Sequence, residues 1–173
     1  MDDKLPITVR YADITDIPRL FRISVEAHRF SYADFIPQQA QERFYKRYTI
    51  NEENEDRYAK RMMAKIHSSE WRVWVAVDMA SGEIAGYTLA HIVAPDFLQK
   101  HGLFVHPEHQ GKGVGSLLFT TSLSAITSGT VQLSVIENNQ KAIHIYQRAG
   151  FRRVATDEKT YFDTSQIIMQ YNK

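Results

Sequence analysis

The residues best placed to do chemistry form one glycine-spaced run, Gln110-Gly111-Lys112-Gly113-Val114-Gly115-Ser116. Ahead of it a short apolar stretch, Leu103-Phe104-Val105, is broken by His106-Pro107; behind it Leu117, Leu118, Phe119 and Leu123 recur at helical spacing. The order is strand, loop, helix. Glycines at 111, 113 and 115 remove Cβ atoms that would hold a ligand off the backbone, and the first amides of the helix have no partner within it. Such a helix start binds anions, most often phosphate. The helix dipole contributes about 0.3–1 kcal/mol, whereas each charge-assisted amide–phosphate hydrogen bond contributes about 1.5–3 kcal/mol. The amides therefore dominate, with Lys112 as a supplement.

The bulk properties narrow what such a loop can serve. The chain has 173 residues, 43% hydrophobic and 24% charged, enough for one compact domain spanning 1–173 with an ordinary core. A net charge of +1 offers no basic excess, so neither nucleic acid nor a membrane surface is an expected partner, and any phosphate site must be local. With no cysteine, disulfides, thiolate metal sites and a cysteine nucleophile are excluded. The N-terminus lacks a basic segment followed by an apolar core and no apolar run approaches 18 residues, so the cytoplasm is the expected location.

The elements that must position the loop read as follows. Ile7–Tyr11 is a short strand, and Asp13 or Thr15 caps a helix whose apolar face is Ile14, Ile17, Leu20, Phe21, Ser24, Val25 and His28. Two helices follow over 37–48 and 53–67, in a stretch where aromatic and charged residues are mixed. Residues 71–78 and 84–93 form a hairpin about Ser81-Gly82, residues 98–105 supply the next strand, and the central helix runs from about 113 to 126. Residues 131–136 alternate as a strand, Asn139 caps a helix striped by Ala142, Ile143, Tyr146 and Ala149, and Gly150 closes it. Residues 151–155 and 161–171 are expected as a final antiparallel pair.

Two nucleotide loops fail on spacing. A dinucleotide fingerprint needs Gly-x-Gly-x-x-Gly directly after the strand, and a P-loop needs Gly-x-x-x-x-Gly-Lys-Ser/Thr; neither is present. What Gln110-Gly111-Lys112-Gly113-Val114-Gly115 resembles is the Gln/Arg-x-x-Gly-x-Gly/Ala signature of the GNAT superfamily of N-acetyltransferases, with Val105-His106-Pro107 as its lead-in. Downstream, Asn139-x-x-Ala142-x-x-x-Tyr146-x-x-x-Gly150-Phe151 resembles the segment after the fifth strand of that family, and Arg10-x-Ala12 with Asp16 resembles its N-terminus.

The resemblance implies an α/β fold with a mixed sheet of about seven strands, the fourth and fifth splayed apart, and flanking helices. It implies acetyl-CoA as cosubstrate, no metal, and transfer of the acetyl group to a small amine, polyamine, amino acid or peptide amino group by direct attack in a ternary complex. A non-catalytic acyl-CoA-binding module on the same fold is the alternative, and a homodimer is left open. By position, Gln110 and the amides of Gly111, Gly113, Val114, Gly115 and Ser116 would hold the pyrophosphate, and Lys112 and Lys141 the 3′-phosphate. Val105 would offer backbone to the thioester carbonyl, Asn139 would meet the pantetheine arm and Tyr146 would face the sulfur. Phe30, Tyr32 and Phe35 would wall the acceptor pocket.

Transfer needs a neutral amine, a donor to the developing oxyanion and a proton for the leaving thiolate. A free tyrosine of pKa ~10 is a weaker acid than a thiol at ~8.5, so proton transfer from Tyr146 is uphill by about 2 kcal/mol and hydrogen-bond donation is its expected part. Neutralising a lysine-like amine at pH 7 costs about 4.6 kcal/mol, an α-amino group only about 1. Many GNAT enzymes carry a Glu four residues before the position of Val105; here the residue is His101, a candidate base or water-relay partner.

Overall fold

The computed structural model describes residues 6–173. In chain order they form β1 (Ile7–Tyr11), α1 (Ile17–Tyr32), α2 (Gln38–Arg47), α3 (Glu52–Ile66), β2 (Trp71–Asp78), β3 (Ile84–Ala94), β4 (Phe97–Val105), α4 (Val114–Leu123), β5 (Thr130–Ile136), α5 (Gln140–Arg148), β6 (Arg152–Tyr161) and β7 (Thr164–Asn172). One seven-stranded sheet runs β1-β2-β3-β4-β5-β7-β6, and every neighbouring pair is antiparallel except β4–β5. The expected mixed sheet is therefore present.

Helices cover both faces of the sheet. Along β2, Val73 and Val75 join a core with Leu20, Ile23, Phe44 and Tyr87, while Trp74 and Ala76 join a second core with Leu118, Val131, Phe151 and Met169. A strand buried on both sides needs apolar residues at every position, which is why β2 and β3 read as continuous runs rather than alternating ones.

Local chemistry sets where the first helix begins. Asp13 accepts from the Thr15 amide at 2.9 Å, and Asp16 accepts in return from the Asp13 amide at 2.7 Å. Arg10 of β1 grips the same Asp16 carboxylate through two nitrogens at 2.7 and 2.9 Å. This bidentate pair, with Asp16 buried, fixes α1 against the edge of the sheet.

Two boundaries differ from the sequence reading. The central helix stops at Leu123 rather than near 126: the Ser124 amide turns back to the carbonyls of Thr121 and Ser122, and the Lys173 ammonium donates to those of Leu123 and Ile126 at 3.0 and 2.8 Å. Tyr161 ends β6 instead of opening the last strand: the hairpin turns at Phe162-Asp163, both left-handed with φ of +47° and +63°. No Gly or Asn-Gly marks that turn, so its position is invisible to turn chemistry.

The feature that makes a site is the divergence of β4 and β5. They pair in parallel only from Phe97–Lys100 against Thr130–Leu133. Beyond Lys100 and Leu133 both strands continue without pairing to each other, and a wedge-shaped gap opens.

Candidate active site

At the wide end of the gap lies the glycine loop. A single turn of 3-10 helix, Pro107–His109, carries the chain from β4 to it. His106 Nδ1 accepts from the Glu108 amide at 3.3 Å, which leaves Nε2 to donate to Glu26 of α1 at 2.6 Å. His109 approaches Asp78 at the end of β2 at 3.7 Å. The two histidines tie the loop to elements on either side.

Gly111 and Gly113 are left-handed, φ +76° and +84°, and a Cβ built on either would meet nothing within 4 Å. That open volume fits a ligand that needs backbone contact. The first intrahelical bond of α4 runs from Leu117 N to Gly113 O, so the amides of Val114, Gly115 and Ser116 precede it. Gly115 differs from the other two. Its Cβ would touch Val105 and Leu103 at 3.6 and 3.7 Å, so it faces the strand rather than the open space. Gln110 turns inward, donating to the Val105 carbonyl at 3.2 Å, and the Lys112 and Lys141 side chains are exposed.

Inside the gap is a cavity of about 170 Å³ lined by Lys100–Phe104 of β4, Leu133–Ile136 of β5, Ala142 and Tyr146 of α5, and His28, Tyr32, Tyr161 and Gln166. Tyr146 packs on Phe119 and Phe151, with ring centroids 5.8 and 6.0 Å apart. Burial, reinforced by the Tyr32 hydroxyl, pushes the Tyr146 pKa well above its ordinary value. Asn139 caps α5, its Oδ1 accepting from the Ala142 amide at 3.1 Å, so only its amide NH₂ is free to meet a ligand.

A second cavity, about 420 Å³, lies across β4 against α1 and α3. His28, His101 and Phe104 line both, so the two cavities meet there. A bulge delivers His101 to this junction: Leu89 pairs with Gly102 and Ala90 with Lys100, leaving His101 between them. Ideal alternation would align His101 with Leu103 and Val105. The bulge instead turns it to the opposite face, where its ring lies 4.7 Å from Trp71. Burial, with Lys65 and His91 nearby, lowers its pKa to about 4.

Of the three aromatic residues expected to wall an acceptor pocket, only Tyr32 reaches the cleft. Phe30 is 66% exposed, on the side of α1 away from the sheet, and Phe35 lines neither cavity because the chain turns from α1 into α2 there. The acidic residues Glu52, Glu53, Glu55 and Asp56 sit in the first turns of α3, outside both cavities.

Several lining residues have no counterpart in the sequence reading. Lys100 is buried, its ammonium donating to Thr88 Oγ1 at 2.6 Å and lying 5.5 Å from the Phe119 ring; burial alone lowers its pKa to about 7. The signal was its parity with buried Leu98, two residues before it. His28, on the apolar stripe of α1, is stacked between Tyr48 and Phe104 at 4.0 and 4.7 Å. Its Nδ1 lies 2.6 Å from the Ser24 carbonyl, which can only accept, so Nδ1 holds the proton and Nε2 the lone pair. Burial lowers its pKa to about 4. Arg57, Arg61 and Lys65 line the second cavity at intervals of four along α3, joined by Arg47 from α2. Among the described residues no group of three or more His, Asp or Glu converges in a way that could hold a metal, and no helix is long and apolar enough to cross a membrane.

Comparison with known proteins agrees with this geometry. The chain is similar to the N-alpha-acetyltransferase RimI of Mycobacterium tuberculosis, 31% identical over 77 residues, covering 44% of this chain and 49% of that one. The aligned segment spans between 21% and 56% of the length of the other curated relatives it matches. Among solved structures it superposes on a PaiA N-acetyltransferase of Thermoplasma acidophilum in complex with coenzyme A, with a TM-score of 0.76 at 19% identity over 96% of this chain and 99% of the other. It also superposes on spermidine N-acetyltransferase of Vibrio cholerae in complex with CoA and spermine, with a TM-score of 0.69 at 19% identity, covering 96% and 95% of the two chains. Residues 69–153, from just before β2 into β6, match the acetyltransferase (GNAT) domain family.

Proposed function

We propose that the protein transfers an acetyl group from acetyl-CoA to a primary amine by direct attack, with donor and acceptor bound together. The observation that carries this reading is the meeting of two cavities at His28, His101 and Phe104, one in the gap between β4 and β5 and the other against the α1–α3 face. A donor and an acceptor entering from opposite sides of β4 would bring their reacting atoms to that junction.

The residues present fit coenzyme A. The open space over Gly111 and Gly113 and the amides at the start of α4 suit a diphosphate, and the gap between the two strands, with its mixed polar and apolar lining, suits the amide-bearing pantetheine arm. Acetyl-CoA, when bound, supplies a thioester carbon as electrophile. Tyr146 is a poorer acid than a free tyrosine, so its part is to donate a hydrogen bond from a fixed position. Lys100 is better suited to give up a proton: an ammonium of pKa about 7 loses its proton to a thiolate whose acid is ~8.5 with a gain of about 2 kcal/mol. Both side chains lie against Phe119.

His28 and His101, each with a pKa of about 4, are neutral at pH 7 and hold a proton weakly. They can orient an amine through its N–H groups or through water. They cannot strip a lysine-like ammonium, a transfer uphill by about 9 kcal/mol at 1.36 per unit. The site therefore favours amines that are already largely neutral near pH 8. The test is release of CoA from acetyl-CoA over a panel of amines, amino acids, polyamines and peptide N-termini, alongside calorimetry of CoA binding. Turnover of any amine with saturation supports transfer. Binding of CoA without turnover of any acceptor would leave a binding module instead.

A further inference from the structure

The second cavity has a composition that the transfer reading does not require. Its charged lining residues are Arg47, Arg57, Arg61 and Lys65, and among the described residues no Asp or Glu lines it. The ion pair recorded for this group is Arg57 with Glu53 at 3.9 Å, and Glu53 is 82% exposed at the rim. Arg57 also donates to Asn54, which in turn donates to the carbonyls of Lys46 and Thr49 at 2.9 Å, so the start of α3 is pinned to the end of α2. Lys65 lies over the face of Trp71, 3.0 Å from its centroid, which aims it at the end of the cavity where His101 also touches Trp71.

These cations are crowded by one another. Burial, then Arg47 and Arg57, pull the Arg61 pKa below its ordinary value, and burial, then Arg61, lower that of Lys65 to about 8. Arg47, Arg57 and Arg61 are exposed and Lys65 is half-buried, so water weakens their mutual repulsion, and an anion entering the concavity would relieve what is left. The arrangement is the reverse of what a polycation needs.

Resting on the transfer reading for where an acceptor enters, we infer that the acceptor is a small amine carrying an anionic group, a carboxylate or a phosphate. Arg61, Lys65 and Arg47 hold the anion while the amine points to the junction at His28 and His101. The volume, about 420 Å³, suits a metabolite-sized molecule. The same cations act on the amine, because a nearby positive charge disfavours an ammonium and so enriches the nucleophilic form. Guanidinium groups match either anion through paired N–H donors.

The experiment uses the full chain saturated with CoA, so that the glycine loop is already filled. Calorimetry measures binding of an α-amino acid, its amide, O-phosphoethanolamine, ethanolamine and spermidine, and CoA release from acetyl-CoA is measured for the same five. Binding of the amino acid or the phosphoamine at least 30-fold tighter than its neutral counterpart is expected. Preference for one of the two identifies the anion. Arg61→Gln should weaken the anionic ligands at least tenfold while changing the neutral ones less than threefold. Lys60→Gln, on the same helix outside the cavity, should change neither. Selective binding without turnover supports this inference and defeats the transfer reading. Turnover with spermidine or the neutral amines preferred, or equal binding of charged and neutral members in both the native protein and Arg61→Gln, overturns the inference and leaves transfer intact. Failure of all five to bind overturns it as well.

Discussion

At the start of α4 the cleft is lined by backbone: two left-handed glycines, three amides ahead of the first helical bond, and open space above them. Across β4, the cavity against α1 and α3 is lined instead by long side chains, with three guanidinium groups, one ammonium and a stack of aromatic rings around His28. A backbone site depends on conformation, and conformation is enforced by few residue types at fixed spacing. A side-chain site can be rebuilt by exchanging one residue on a helix face without disturbing the helix. The two sites therefore place different demands on the sequence: one on residue types at fixed spacing, the other on side chains that a helix face can exchange.

Breaking the contrast at its centre should have the largest effect. Tyr146→Phe removes the hydroxyl that lines the gap between β4 and β5, and kcat for the best acceptor should fall about 10²–10³-fold, as for loss of one hydrogen-bond donor to developing charge, while CoA affinity measured by calorimetry stays within threefold. Unchanged turnover would take Tyr146 out of the chemistry.

Lys100→Met tests whether a charged group on the donor side is held at a cost to the fold. An amine whose pKa is about 7 folded and about 10.4 unfolded lowers stability by roughly 4 kcal/mol at pH 7. The unfolded chain binds the extra proton in this window, so that cost shrinks as pH rises from 7 toward 10. Urea denaturation should show the variant more stable by about 2–4 kcal/mol at pH 7, after allowing for the lost bond to Thr88, and the advantage should narrow by pH 9. Its turnover should fall, and any rate dependence centred near pH 7 should vanish with it.

Gly113→Leu attacks the backbone site directly. A leucine forced to a left-handed φ, with its side chain in the open volume, should weaken CoA binding at least 100-fold by calorimetry. Gly115→Ala should change it less than threefold, because that Cβ makes ordinary contacts with Leu103 and Val105. Equal losses in the two variants would mean that the glycines serve flexibility of the loop rather than ligand approach.

His28 gives the smallest effect, through pH. Its folded pKa, about 4, lies below the unfolded value near 6.5, so the unfolded chain takes up a proton first as pH falls. The contribution is complete above about 6.5, declines between 6.5 and 4, and is gone below 4, for a total of roughly 3 kcal/mol. Stability of His28→Phe relative to the native chain should therefore rise by about 2–3 kcal/mol between pH 7 and 4.5.

Most of the architecture was legible in the sequence because burial on both faces left continuous apolar strands, and Asp13, Asn139 and Gly150 mark helix ends with specific chemistry. The glycine loop was legible for the same reason: Gly111 and Gly113 occupy backbone angles that other residues resist. The acceptor side was not. Arg57, Arg61 and Lys65 recur every fourth residue, but such a row on a polar helix reads as a solvated face, and only the docking of α3 on α1 and β2 turns it into a cavity wall. Phe30 misled for the opposite reason, since an aromatic residue near the end of a helix suggests a pocket until the helix is rotated onto its core. Lys100 keeps the parity of buried Leu98, but a lysine is seldom buried and reads as outward-facing; the bulge after it shifts the alternation for His101 and beyond.

The hairpin that turns at Phe162-Asp163 reaches back over the first third of the chain. Asp163 pairs with Arg43 of α2 at 2.6 Å, Phe162 packs on Phe44, and the Tyr161 hydroxyl meets that of Tyr48 at 2.8 Å. Contacts between residues more than a hundred positions apart close the largest loops a folding chain of this size can make, and such closures come slowly. The wall shared by Tyr48 and Tyr161 is therefore assembled from segments 113 positions apart, whereas the glycine loop and its strand lie within a few residues of each other. During refolding, affinity for CoA should return before the ability to use an acceptor.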